Sequence, residues 1–233
     1  MKIIESILKE KRTFLMEHES KDLISKYDIH VGDYKLVNSA KEAVDFANSI
    51  GYPVVAKAMS PNIIHKTEAG VIKLNLKSAE EVESAYSEII ENAMKYDPNA
   101  KIAGVNVQKM AENGVVEIII GSMRDTNFGP VLMFGLGGIF VEIFKDVCYR
   151  VCPIAKEEAH NMVRSIKAFP LLDGYRGQPK ADIDALVDTI TKCCKLLEEN
   201  PEINELDLNP VILFEDGKGL MVVDARIILK EEK

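Results

Sequence analysis

Lys57 closes the apolar run Pro53-Val-Val-Ala-Lys57, and His65 follows it in the polar stretch His65-Lys-Thr-Glu68. A second run, Val71-Ile-Lys-Leu-Asn-Leu76, comes directly after. Read as strand, loop and strand, this order fixes one ammonium at a strand end and one imidazole in the loop above it. The ammonium suits nucleotide phosphates. A neutral imidazole, with a pKa of about 6.5, is a competent phosphoryl acceptor near neutral pH. Taken alone, Lys57 would be a lysine reaching solvent from a strand end, and His65 an inert loop histidine. Their order favours phosphate chemistry. The chain has neither a GxxxxGK[ST] phosphate loop nor a GxGxxG fingerprint, so Lys57 is the leading phosphate-binding cation of the first half.

Further along, Glu205-Leu-Asp207-Leu-Asn209-Pro210 is followed by Val222-Val-Asp224. In a strand, Asp207 and Asn209 face one side, and Pro210 holds Asn209 extended. If the two segments pair, Asp224 falls beside them. Carboxylate and amide oxygens are hard ligands suited to Mg2+ that also takes phosphate oxygens. Glu117 sits inside the apolar run Val115–Ile120; if buried, it needs a partner such as a ribose hydroxyl, Mg2+ or a basic group. On an exposed face it carries no such message. Gly135-Leu-Gly137-Gly138 is a candidate anion cradle of consecutive backbone N–H groups; the plainer reading is a tight turn. His18, His30 and His160 are read as solvated.

The elements that must position these groups follow from periodicity and punctuation. Residues 1–28 read as helical, 34–37 as a strand, and 40–50 as a helix opened by Ser39 with Glu42 and stopped by Gly51. Strand 53–58, loop 59–69 and strand 70–76 come next. Ser78 with Glu81 opens helix 79–95. Strands 102–110 and 115–123 flank Glu112-Asn113-Gly114, a hairpin signal. Strand 130–134 leads to the glycines, and 139–144 is a strand or a short helix. Helices 156–167 and 182–199 and strands 205–214 and 220–229 complete the chain. Clustered strands argue for α+β rather than a doubly wound parallel sheet. The expected division is 1–106 and 107–233.

A net charge of −8 with no basic tract argues against a nucleic-acid partner. At 47% hydrophobic and 28% charged residues, the composition is that of a folded soluble protein. No apolar run reaches the roughly 20 residues of a membrane span, and the start is unlike a signal peptide; the expected address is cytoplasmic. Cys148, Cys152, Cys193 and Cys194 lack zinc-site spacing and are expected as free thiols.

With these motifs in order, the chain resembles the β subunit of ADP-forming acetyl-CoA synthetase (acetate–CoA ligase), an ATP-grasp family related to succinyl-CoA synthetase. The resemblance runs from about residue 20 to the C-terminus. It is carried by Gly51-Tyr-Pro-Val-Val-Ala-Lys57, Ser60-Pro61 through His65-Lys-Thr-Glu-Ala-Gly-Val71, Phe128 through Gly138, Gly174-Tyr-Arg-Gly177 and Glu205 through Pro210. It implies an ATP-grasp fold of two α+β subdomains holding ATP or ADP between them. It implies that Lys57 contacts phosphates, that Gln108 and Met110 line the adenine side, and that Glu117 lies in the nucleotide site. Asn209 and Asp224 match Mg2+ positions, Asp207 an acid that steadies a phosphohistidine, and His65 a second relay histidine. The implied reaction is acyl-CoA + ADP + phosphate ⇌ acid + CoA + ATP, shared with a separate CoA-binding α subunit in an α2β2 assembly. Two rivals stay open: an ATP-grasp carboxylate–amine ligase, which needs neither relay histidine nor partner, and a noncatalytic ATP/ADP-sensing subunit.

Overall fold

The structure, a computed structural model, describes residues 2–63, 65–138 and 145–231. The segment 139–144, read above as strand or short helix, lies outside the described residues. The chain forms two compact units. One is Gly32–Ala111; the other joins Met1–Val31 to Glu112–Lys233. The expected division at 106/107 is corrected on one point: the N-terminal residues belong with the C-terminal half. The reason is a short strand, β1 (Phe14–Leu15), which pairs with the last strand of the chain, Phe14 opposite Ile228 and Leu15 opposite Ile227.

β1 also corrects the reading of 1–28 as helical throughout. Helix α1 (Lys2–Lys9) stops where Lys11 takes a left-handed φ of 56°. The Arg12 and Lys11 N–H groups donate back to Ile7 and Leu8 carbonyls at 3.1 and 2.9 Å, the C-terminal closure usually built on glycine. Phe14 and Leu15 then run extended before α2 (Glu17–Ser25). His18 is half-buried rather than solvated, and its Nδ1 lacks a hydrogen-bond partner. Burial pushes its pKa down.

The smaller unit contains β2 (Tyr34–Val37), α3 (Ala40–Ile50), β3 (Val54–Met59), β4 (Ile72–Leu76), α4 (Ala79–Tyr96) and β5 (Gly104–Lys109). Its sheet runs β2-β5-β3-β4, every pair antiparallel. Both helices start as expected: Ser39 Oγ accepts from Glu42 N–H at 3.2 Å and Ser78 Oγ from Glu81 N–H at 3.3 Å. Ala43, Ala47, Ala85 and Ala93 present small side chains to Val54, Ala56, Ala58, Val105 and Val107, so helices and sheet approach closely. That consumes one face of the sheet. The alternate residues of β3 and β5 are left for the other face.

The larger unit adds β6 (Val116–Asp125), β7 (Gly129–Leu136), β8 (Val147–Val151), α5 (Lys156–Arg164), α6 (Phe169–Leu172), α7 (Ile183–Glu199), β9 (Ile203–Leu213), β10 (Leu220–Val222) and β11 (Ala225–Leu229). Its sheet runs β1-β11-β9-β6-β7-β8, with β10 also on β9. Ile118, Ile120, Leu132, Phe134, Leu206 and Leu208 are fully buried with residues of α5 and α7. Asp182 caps α7 through Ala185 N–H at 3.0 Å and accepts from Gly219 N–H at 2.8 Å. The hairpin expected at Asn113-Gly114 does not form, because β5 and β6 belong to different sheets. Gly114 serves another need: a Cβ there would stand 2.4 Å from Ile212 Cγ2 and 2.7 Å from the Leu213 carbonyl.

The expectation of four free thiols is also corrected. Cys152, just after β8, is bonded to Cys194 on α7, with Cα atoms 5.5 Å apart. Cys148 and Cys193 are free, and full burial pushes the Cys193 thiol up to about 12. Among the described residues no helix is long and apolar enough to cross a membrane.

Candidate functional site

Lys57 lies inside β3 rather than at its end, since the strand runs on to Met59; all six positions are buried, and Lys57 itself is 6% exposed. The register sets it opposite Asn106 on β5 and Ile72 on β4. Gln108 lies two residues along β5, opposite Val55 and Tyr34. Lys57, Asn106 and Gln108 therefore form a polar row on the face away from α3 and α4. Met110 follows β5 directly, its N–H donating to the Pro53 carbonyl at 3.1 Å, while Lys109 Nζ donates to the Tyr52 carbonyl at 2.8 Å. The chain leaving β5 is thus fixed against the chain entering β3.

His65 is exposed, in the loop between β3 and β4. Its carbonyl accepts from Ala69 N–H at 3.0 Å, and the Lys66 carbonyl accepts from Val71 N–H at 3.1 Å. Gly70 takes a φ of +65°, and its carbonyl accepts from Asn92 Nδ2 of α4 at 2.9 Å. The loop returns beside Lys57, where the Val71 carbonyl accepts from Ala58 N–H at 3.0 Å. One unit thus holds the lysine, the histidine loop, Gln108 and Met110.

The acidic residues gather in the larger unit, where β9 changes partner on one edge at Asn209-Pro210. Before that point β9 pairs with β11, after it with β10. Across it, Asn209 N–H donates to the Asp224 carbonyl at 3.2 Å, and Val223 N–H to the Pro210 carbonyl at 3.0 Å. Asn209 and Asp224 are therefore neighbours, as the paired-strand reading requires. Asp207, two residues before Asn209, is half-buried opposite Gly121 on β6 and Arg226 on β11. Burial raises its carboxyl pKa, the charge of Asp224 raises it further, and Arg226 pulls it back. A cavity of about 440 Å³ opens beside Asp207 and Arg226, lined also by Gly121, Met133 and Tyr149, while Asn209 and Asp224 do not line it. The Asp224 carboxylate and the Asn209 amide oxygen make a small hard donor set. It fits a divalent cation that completes its shell with phosphate and water oxygens. Among the described residues no group of three or more His, Cys, Asp or Glu could hold a metal by itself.

Two readings change. Glu117 is exposed on β6, so the cost of a buried carboxylate does not apply to it. It stands by the glycine turn: its carbonyl accepts from Gly137 N–H at 2.8 Å, and a Cβ on Gly138, whose φ is +60°, would lie 3.7 Å from Glu117 Oε2. A Cβ at Gly137 would crowd this backbone, coming within 3.3 Å of the Glu117 carbonyl. The cradle of consecutive free N–H groups is overturned, because Gly135 lies inside β7 between β6 and β8 and the Gly137 N–H is used. Sequence reasoning missed Arg226, which only the β9–β11 register brings to Asp207, and Asn106, which looked like an ordinary strand residue.

An ATP-grasp domain matches residues 6–229. The chain is 48% identical over 231 residues to the β subunit of acetate–CoA ligase (ADP-forming) II of Pyrococcus furiosus, covering 99% of this chain and 98% of that one. The chain belongs to the ATP-grasp family, among the β subunits of ADP-forming acetate–CoA ligases. This ATP-grasp chain also superposes on acetyl-coenzyme A synthetase 1 of Ca. Korarchaeum cryptofilum. In that protein's complex with coenzyme A, Ca-AMPCP and HgCl+, the TM-score is 0.93 at 48% identity, covering 98% of this chain and 99% of that one. Its complex with coenzyme A and Mg-AMPPCP, the phosphohistidine segment pointing towards the nucleotide binding site, gives 0.87 at 45% identity with 98% and 99% covered. The α+β ATP-grasp expectation holds.

Proposed function

We propose that this chain is the nucleotide half of an ADP-forming acyl-CoA synthetase. With a CoA-binding α subunit it interconverts acyl-CoA, ADP and phosphate with free acid, CoA and ATP, in the cytoplasm and as an α2β2 assembly. The observation that carries this is the change of partner along β9, which sets Asn209 against Asp224 two residues from Asp207, in a chain aligned end to end with such β subunits. Lys57 holds nucleotide phosphate, while Gln108 and Met110 border the base. Asn209 and Asp224 supply hard oxygens for Mg2+, which neutralises phosphate charge when bound. Glu117, with Gly137 and Gly138 beside it, completes the nucleotide side; its glycines leave room for close approach rather than a row of N–H donors.

Asp207 accepts a hydrogen bond from the ring N–H of a histidine presented by the partner and orients the phosphorylated ring. His65, exposed on a loop tied at both ends, takes the phosphoryl group in relay. The test is transfer from [γ-32P]ATP with Mg2+, using wild type, His65→Asn and Asp207→Asn, each with the partner subunit. Acid-labile label on this chain that is absent in His65→Asn supports the relay. Label undiminished in His65→Asn removes it. Overall turnover that survives Asp207→Asn removes the assigned role of Asp207.

A further inference from the structure

Asn106 carries a buried acceptor with no donor. The residue is 0% exposed, its Nδ2 donates to Gln108 Oε1 at 3.3 Å, and its Oδ1 has no hydrogen-bond partner. An unpaired amide oxygen in the interior is costly, whereas an aliphatic residue of similar size at the same strand position carries no such cost. Val105 and Val107, its neighbours on the other face of β5, are of that kind. The orphan oxygen also has a specific address. Asn106 stands directly opposite Lys57 and shares a face with Gln108, so it lies in the polar row that the nucleotide reading assigns to phosphate and base.

What Asn106 Oδ1 lacks is a donor placed to reach it. Purine bases differ in this respect at the 6-position: adenine presents an amine donor, whereas a 6-oxo purine presents an acceptor. We propose that Asn106 is a base-selecting residue whose Oδ1 accepts from the exocyclic amine of adenine, with Gln108 holding the amide in that orientation. The inference rests on the nucleotide-binding reading above. Turning the Asn106 amide to serve a 6-oxo base would set its Oδ1 against Gln108 Oε1, so both amides would have to rotate together. The pair thus works as a latch rather than as a single adaptable amide.

The experiment is calorimetric binding of ADP and IDP, each with Mg2+, to the full-length chain and to Asn106→Leu. Asn106→Val, which keeps strand propensity, is run in parallel in case leucine disturbs β5. Wild type is expected to prefer ADP. Either variant should weaken ADP binding by about tenfold, the worth of one hydrogen bond, and IDP binding by less. Equal losses for ADP and IDP, or no change in either, overturn the assignment of Asn106 while leaving nucleotide binding intact. Wild type that binds neither nucleotide sinks the nucleotide reading, and this inference with it.

Discussion

Reduction of the Cys152–Cys194 bond should destabilise the larger unit by an amount set by chain length. The two cysteines are separated by 42 positions. The chain-entropy relation then gives a loss of about 13 cal/mol/K in the unfolded ensemble, or about 4 kcal/mol at 25 °C. With a urea slope of about 3 kcal/mol/M, the midpoint falls by roughly 1 M on reduction. The assay is urea unfolding with and without dithiothreitol, for wild type and for a Cys152→Ala/Cys194→Ala double variant. The reductant should move only the wild type. Thiol titration gives an independent count: unreduced protein in denaturant should show Cys148 and Cys193 alone. In the native state Cys193 should react very slowly at pH 8, since it is fully buried and its thiol is pushed up to about 12. Four reactive thiols without reductant would refute the pairing. An equal shift in the double variant would refute the entropic reasoning. A bond that persists inside cells also bears on compartment, because cytoplasmic disulfides are common chiefly in hyperthermophiles.

Lys57→Met should weaken ATP and ADP binding by about 10- to 100-fold, the value of a charge-assisted hydrogen bond to phosphate, as read by calorimetry. Gly137→Val should lower stability by about 1–3 kcal/mol, because its Cβ already meets the Glu117 and Ile118 backbone at 3.3 Å; thermal unfolding reads this. Burial lowers the His18 pKa, so the native state disfavours the imidazolium. Its contribution to stability is full above about pH 6.5 and is lost as pH falls through the depressed native value. His18→Gln should flatten the stability profile over that window, and an unchanged slope would count against the burial argument.

Much of the local structure was legible in the sequence. The Ser39 and Ser78 caps, the stop at Gly51, the buried strand that carries Lys57 and the helix carrying Cys193 and Cys194 depend on contacts within a few residues. Periodicity and capping chemistry report such contacts directly. The neighbourhood of Asn209 and Asp224 was legible only on the condition that β9 paired with the following strands. Tertiary structure decided the rest, because sheet membership and register depend on partners far along the chain. It placed Phe14 and Leu15 on β11, which assigned residues 1–31 to the C-terminal half. It separated β5 from β6 and so made Asn113-Gly114 a junction rather than a hairpin. It exposed Glu117, used the Gly137 N–H within the fold, set Arg226 opposite Asp207, and joined Cys152 to Cys194. Residue types and short spacings named the chemistry available to this chain. Only long-range strand pairing determined which of those groups are buried, which are neighbours, and that the Asn106 Oδ1 is left without a donor.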